Sequence, residues 1–142
     1  MYEFLKTRYP LAKVREGLSE RECGVIDRVC AQLFGVGLPK DYRDFLTELN
    51  GFSFDGHTVF GSFDKLFRQA NPRLAGSDFL ENNEEYRAMT GVEDYLMLGT
   101  SSMDYLMYEI ESGNYLVMTN GTMTLMKESG SFAEVLEYFF AH

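Results

Sequence analysis

His57 and its neighbour Asp55 are the residues of this sequence whose types and spacing best suit acid–base chemistry. A carboxylate two residues away can orient the imidazole of a general base, which would suit a hydrolase. The alternative interpretation is a histidine in a turn at a strand edge. No motif in the sequence supplies a nucleophile for His57 to activate, so the hydrolase is the least favoured of three functional hypotheses.

Cys23 and Cys30 are the two cysteines, and they lie seven residues apart in a segment with helical periodicity. Seven residues of helix separate the Cα atoms by about 10–11 Å, which is too far for a disulfide. No other ligands accompany them at the spacing of a metal site. We expect two buried free thiols, no metal, no cofactor and a reduced, cytoplasmic location.

The overall charge limits the classes of partner. Thirteen Lys and Arg residues against twenty-two Asp and Glu residues give 142 residues a formal net charge of −9. Binding to nucleic acid or to anionic lipid usually requires a basic surface. The sequence also lacks an apolar run of signal-peptide or transmembrane length. We therefore expect a basic protein partner, no nucleic acid and no membrane.

Acidic residues are concentrated between residues 78 and 94. This segment contains six acidic residues and one basic residue, Arg87, for a net charge of −5, whereas residues 1–15 have a net charge of +3. One interpretation is a solvated helix and loop. The other is a docking surface that speeds association with a basic partner. Under the second hypothesis the candidate contact residues are Asp78, Glu81, Glu84, Glu85, Glu93 and Asp94.

Periodicity and turn signals predict the elements that must position these residues. A helix over 19–34 begins with a Ser-x-x-Glu capping box, and a second over 39–50 begins with Pro39 as its first residue. The residues expected to form the buried face of the first helix are Ile26, Val29, Cys30, Leu33 and Phe34. Further helices are predicted over 63–70, 78–89 and 131–140, the last with a second capping box. Strands are predicted over 52–60 (with a turn at Asp55-Gly56), 95–98, 104–111, 115–119 and 122–126.

The order of these elements predicts the fold class. Consecutive strands with tight turns favour antiparallel pairing, and Asn120-Gly121 predicts a two-residue type I′ hairpin turn. We expect an α+β fold, a mostly antiparallel sheet packed against N-terminal and C-terminal helices, in a single domain over residues 1–142. Large apolar residues, many of them methionine, occur on both faces of the predicted sheet. They are either core filling or an adaptable binding surface.

Residues 38–51, LPKDYRDFLTELNG, resemble the L-P-x-D-Y-x-x-F-L-x-x-x-N-G signature of the SUKH superfamily. This superfamily contains fungal cell-wall-synthesis regulators and many bacterial toxin-immunity proteins. The resemblance implies an α+β fold and, for bacterial members, an intracellular protein that binds and neutralises a toxin domain, often a nuclease. It brings no catalytic residues, so we expect its positions to be scaffold: Leu38, Pro39, Tyr42, Phe45, Asn50 and Gly51.

The leading functional hypothesis is therefore a non-enzymatic immunity protein that binds a basic toxin domain. The alternative, suggested by the fungal relatives, is an intracellular regulatory adaptor that binds several client proteins. The two hypotheses differ in the number of partners and in whether a toxin gene lies next to this one. The sequence predicts no oligomeric state.

Overall fold

The computed structural model describes residues 1–63 and 77–142 of the chain. The helices in these ranges are α1 (Glu3–Arg8), α2 (Glu20–Phe34), α3 (Lys40–Glu48), α4 (Phe79–Thr90) and α5 (Phe132–Ala141). The strands are β1 (Lys13–Glu16), β2 (Leu49–Phe54), β3 (His57–Val59), β4 (Tyr95–Thr100), β5 (Asp104–Glu109), β6 (Asn114–Thr119) and β7 (Leu125–Ser129). The helix predicted over 63–70 lies, except for its first residue, outside the described residues.

The described strands form one seven-stranded antiparallel sheet in the order β1 to β7, so each strand pairs with its neighbours in sequence. This confirms the predicted α+β class with helices from both ends of the chain. The prediction missed β1, because its four residues, KVRE, are all exposed and lack the apolar–polar alternation of a half-buried strand.

Aromatic side chains fix the helices to one face of the sheet, which we call the inner face. Phe132 of α5 lies 5.7 Å from Phe45 of α3 and 5.0 Å from Tyr115 of β6, between ring centroids. Phe140 of α5 similarly lies 5.2 Å from Phe52 of β2. All five side chains are buried, so the core lies between the inner face and the helices.

The helix starts agree with the sequence in part. Ser19 and Glu22 form the full capping box of α2, with bonds of 3.1 and 3.0 Å. At α5 the Ser131 hydroxyl accepts from the amide of Glu134, but the Glu134 carboxylate accepts from the hydroxyl of Ser129 instead of reaching back to the cap. Pro39 is the N-cap of α3 and not its first helical residue.

Two further predictions are corrected by the structure. Leu33 is 47% exposed, and the buried residues of α2 are Cys23, Cys30 and Phe34, so the packed face of the helix differs from the predicted one. The hairpin at Asn120-Gly121 is not a two-residue turn, and β7 begins only at Leu125.

Residues 120–124 form a longer loop between β6 and β7. The amide of Thr119 bonds to the carbonyl of Thr124, and the Thr119 hydroxyl accepts from the amide of Thr124. Positive φ angles occur at Gly121 and Met123, whereas a type I′ turn would need them at Asn120 and Gly121. Local side-chain bonds of the threonines therefore favour the wider loop.

Candidate partner-binding surface

Asp78 begins the predicted acidic segment, but the structure places it inside the protein. It is the N-cap of α4, and its carboxylate accepts hydrogen bonds from the amides of Glu81 (3.0 Å) and Phe63 (2.8 Å). The side chain has no exposed area. Asp78 therefore holds the start of α4, and it is not available as the partner contact that the sequence suggested.

The other five candidate residues lie on α4 and on the turn that follows it. Glu84 and Glu85 lie three and four residues after Glu81, so each is a neighbour of Glu81 on the helix surface. Glu81 is partly buried and the other two are exposed. Glu93 and Asp94 are exposed beyond the C-cap of the helix.

Arg87, the one basic residue of this segment, forms no ion pair with these carboxylates among the described residues. Its guanidinium lies 4.7 Å from the ring centroid of Phe34 in α2. Its Nη2 atom donates long hydrogen bonds to the carbonyls of Glu93 (3.4 Å) and Tyr95 (3.5 Å). Within residues 1–63 and 77–142, no ion pair involves the exposed acids of the segment: Glu84, Glu85, Glu93 and Asp94.

Asn83 attaches α4 to the sheet and is fully buried. Its Oδ1 atom accepts from the amide of Met97 (2.6 Å), and its Nδ2 atom donates to the carbonyls of Met97 and Phe79 (2.8 Å each). Strand β3 pairs with Thr100 and Gly99 of β4, and not with Met97. The amide of Asn83 thus replaces a strand partner at this edge of β4.

Sequence reasoning missed Asn83, although a signal was present. Phe79, Asn83 and Tyr86 follow the i, i+4, i+7 spacing of a buried helix stripe. A polar residue on such a stripe must be hydrogen-bonded inside the protein.

Three partly buried tyrosines lie beside the acidic segment, and they were also missed. The rings of Tyr86 in α4 and Tyr105 in β5 are 6.2 Å apart, and Tyr95 of β4 lies directly opposite Glu109 of β5. Burial raises the pKa of Tyr86 and Tyr95, and the carboxylates of Glu109 and Asp94 raise the pKa of Tyr95 further. The phenols of Tyr86 and Tyr95 therefore stay protonated at neutral pH.

Most of the net negative charge lies in the part of the chain that contains this surface. Residues 77–142 contain two basic residues, Arg87 and Lys127, against twelve acidic ones, a formal charge of −10. Residues 1–63 contain eight basic and nine acidic residues, a formal charge of −1. A basic partner would consequently be steered towards α4 and strands β4 to β7.

The His57 site does not have the geometry of an acid–base dyad. The Nδ1 atom of His57 lies 2.9 Å from the backbone carbonyl of Asp55, not from its carboxylate. The imidazole packs against the rings of Phe139 and Phe140, at 5.2 and 5.8 Å between centroids. These contacts match the alternative interpretation, a turn histidine that packs on α5.

Both thiols are free and buried, as predicted. Burial raises the pKa of Cys30 to about 12, so this thiol is protonated and poorly nucleophilic at neutral pH. No group of three or more His, Cys, Asp or Glu residues could hold a metal ion in the described parts of the chain. Among the helices described there, none is long and apolar enough to span a membrane.

An open cleft of about 760 Å³ lies between the start of α2 and strand β2. Three of the polar side chains that line it already have structural roles. Asn50 donates to the carbonyl of Ser62 (3.0 Å) and accepts from its amide (2.7 Å), and Ser19 and Glu22 form the capping box of α2. We therefore do not assign a reaction to this cleft.

The residues that carry the SUKH resemblance build the scaffold, as expected. The Tyr42 hydroxyl donates to the buried carbonyl of Phe60 (2.5 Å), and Gly51 has a φ of 93°. A Cβ atom on Gly51 would lie 3.1 Å from the amide nitrogen of Gly61. Comparison of the chain with protein-family models gives no match, and comparison with curated proteins gives none either. The SUKH assignment thus stays a prediction from residues 38–51.

Proposed function

We propose that this protein is a non-enzymatic, cytoplasmic immunity protein that neutralises a basic toxin domain by binding it. The observation that carries the proposal is the exposed, unpaired negative charge on α4 and the turn after it. The resemblance of residues 38–51 to the SUKH signature supports the same class. Because those residues form core and turn contacts, the partner surface lies elsewhere on the fold.

The charge suits a toxin that acts on nucleic acid. A nuclease needs a basic groove to hold its polyanionic substrate. An acidic surface complementary to that groove can cover it and exclude the substrate. Complementary charge of this kind raises the association rate and selects against neutral or acidic proteins.

The test is to mix the purified protein with the toxin domain encoded by the neighbouring gene. We expect a stable complex at micromolar concentration, loss of toxin activity in the complex and survival of cells that make both proteins. If no complex forms and cells are not protected, the proposal is wrong. Several unrelated intracellular partners and no adjacent toxin gene would instead identify the regulatory adaptor.

Charge reversal tests the contact residues. Glu84→Lys with Glu85→Lys, on α4, should slow association with the toxin domain at least about tenfold at low salt, and the difference should shrink as salt screens the charges. The matched control is Glu111→Lys with Glu137→Lys, two exposed acids outside the segment. Both variants change the net charge equally. An equal loss of rate in both would show that overall charge, and not the α4 surface, guides binding.

A further inference from the structure

Strands β4 to β7 have a second face, which we call the outer face because it is opposite the helices α3 and α5. Directly paired residues of neighbouring strands share a face, and one such row contains Thr100, Tyr105, Met118 and Leu125. Tyr95 and Glu109 are a further pair on the same face, since Glu109 and Tyr105 are four residues apart on β5. Tyr95 and Tyr105 therefore belong to this face.

The accessible part of the outer face is aromatic and acidic. Leu125 is 49% exposed and Tyr95, Tyr105 and Glu109 are partly exposed. The other apolar residues of this face are buried: Met97, Met107, Leu116 and Met118. Among these residues, the accessible ones are therefore the Tyr95–Glu109 pair, Tyr105 and Leu125. Tyr86 of α4 contacts Tyr105 from the side, so the face is continuous with the acidic segment.

Basic side chains are absent from the outer face of β4 to β7 within the described residues. Lys127 of β7 pairs with Val117 and thus belongs to the inner side of the sheet. Arg87 of α4 lies over Phe34 and is held by backbone carbonyls, as described above. Two carboxylates lie on the outer face: Glu109, and Glu128, which pairs with Leu116 and accepts a hydrogen bond from the side chain of Asn114 (2.7 Å).

We propose that the outer face binds arginine side chains of the basic partner, a proposal that rests on the function proposed above and names its contact. A guanidinium stacks on an aromatic ring and forms paired hydrogen bonds with a carboxylate. Tyr95 and Glu109 are directly paired across β4 and β5, so one arginine can stack on the ring of Tyr95 and form hydrogen bonds with the carboxylate of Glu109. A lysine ammonium has no planar surface to stack and therefore gains less here.

The test uses the intact protein and two short probes of equal charge, hexa-arginine and hexa-lysine. Amide chemical shifts recorded during titration should change most at Tyr86, Tyr95, Tyr105 and Glu109. Hexa-arginine should bind at least threefold more tightly than hexa-lysine. Equal affinities, or shifts centred on α1 to α3, would overturn the proposal. This mapping needs no variant, so it is independent of whether any variant folds.

A pair of matched variants tests the contact itself. Tyr95→Leu with Glu109→Gln should weaken hexa-arginine binding at least tenfold and abolish the preference for arginine. The control, Tyr138→Leu with Glu137→Gln on α5, removes the same groups elsewhere and should change the affinity less than twofold. Equal losses in the two variants would overturn the proposal.

Two outcomes separate this proposal from the function on which it rests. If the toxin domain is neutralised but the shifts lie elsewhere, the outer face is not the contact and the immunity function stands. If hexa-arginine binds at the outer face but no toxin is neutralised, the immunity function fails and the arginine-binding face stands. A dimer in sedimentation velocity that shields the three tyrosines would show that a second copy occupies the face, which would overturn the arginine proposal.

Discussion

Replacing Asn83 should show how the acidic helix α4 is attached to the sheet. Asn83→Ala removes the acceptor for the Met97 amide and the donor for the Met97 carbonyl, both inside the protein. A buried backbone group that loses its partner costs about 1–3 kcal/mol. The bond to Phe79 adds less, because a helical carbonyl also accepts the backbone amide four residues later. With two such groups, the expected loss in the free energy of unfolding is roughly 2–6 kcal/mol.

The matched control is Asn82→Ala on the same helix. Its Nδ2 atom makes one bond, to the carbonyl of Asp78, in a partly buried position. Both substitutions exchange the same residue type, so the gain in helix propensity cancels between them. We expect the control to lose at most about 1 kcal/mol. Urea unfolding followed by circular dichroism measures both values, and a thermal midpoint lower by roughly 6–20 °C should accompany the change at position 83.

Asn83→Asp adds a pH signature. The new carboxyl keeps an acceptor for the Met97 amide but places an oxygen against two carbonyls, so burial and repulsion raise its folded pKa above the unfolded value of about 3.9. Below that pH the group is neutral in both states, and its hydroxyl can donate to a carbonyl. As the pH rises through the folded pKa, the variant loses stability relative to the wild type. Two results would refute the role of Asn83. One is a loss in the free energy of unfolding of Asn83→Asp that is no larger at pH 7 than at pH 4. The other is a loss for Asn83→Ala that is no larger than the loss for Asn82→Ala.

Two shorter predictions concern the core. Tyr42→Phe should lower the free energy of unfolding by about 1–3 kcal/mol in urea titrations, because the buried carbonyl of Phe60 loses its donor. The control Tyr138→Phe, at a half-buried position of α5, should change it by less than about 0.5 kcal/mol. The free energy of unfolding should also fall above pH 9, because the Cys30 thiol, with its pKa raised to about 12, keeps a proton in the folded state that the unfolded chain releases. Cys30→Ala should reduce that slope by at most about 1.4 kcal/mol per pH unit, and an unchanged slope would contradict the assignment.

The sequence allowed prediction of the elements that have a strong local signal. The capping box at Ser19 and the apolar stripe of α5, from Phe132 to Phe140, correspond to interactions within one segment, and both occur in the structure. Strand β1 has no such signal, since its residues are exposed and its partner β2 lies more than thirty residues away. Its position is decided by long-range pairing, which periodicity does not report.

The candidate site was predictable in its charge and not in its geometry. Counting charges located the acidic segment, but the same count included Asp78, whose carboxylate caps a helix inside the protein. Charge alone does not distinguish a cap from a surface residue. The tyrosines were missed for a related reason. Tyr86, Tyr95 and Tyr105 lie on three different elements, and only the register of β4 with β5 and the packing of α4 bring them to the same region.

The contacts that attach α4 to the rest of the protein leave the negative charge of its exposed carboxylates unneutralised. Exposed carboxylates that repel one another destabilise a compact fold, and nearby bases would offset that cost. Arg87 is the one basic residue of the acidic segment, yet its guanidinium lies over Phe34 and donates to backbone carbonyls. The uncharged amide of Asn83 makes the fully buried polar contact of α4 with β4. The helix is therefore anchored by contacts that leave its acidic surface unneutralised, which favours binding to a basic partner at the expense of the stability of the isolated protein.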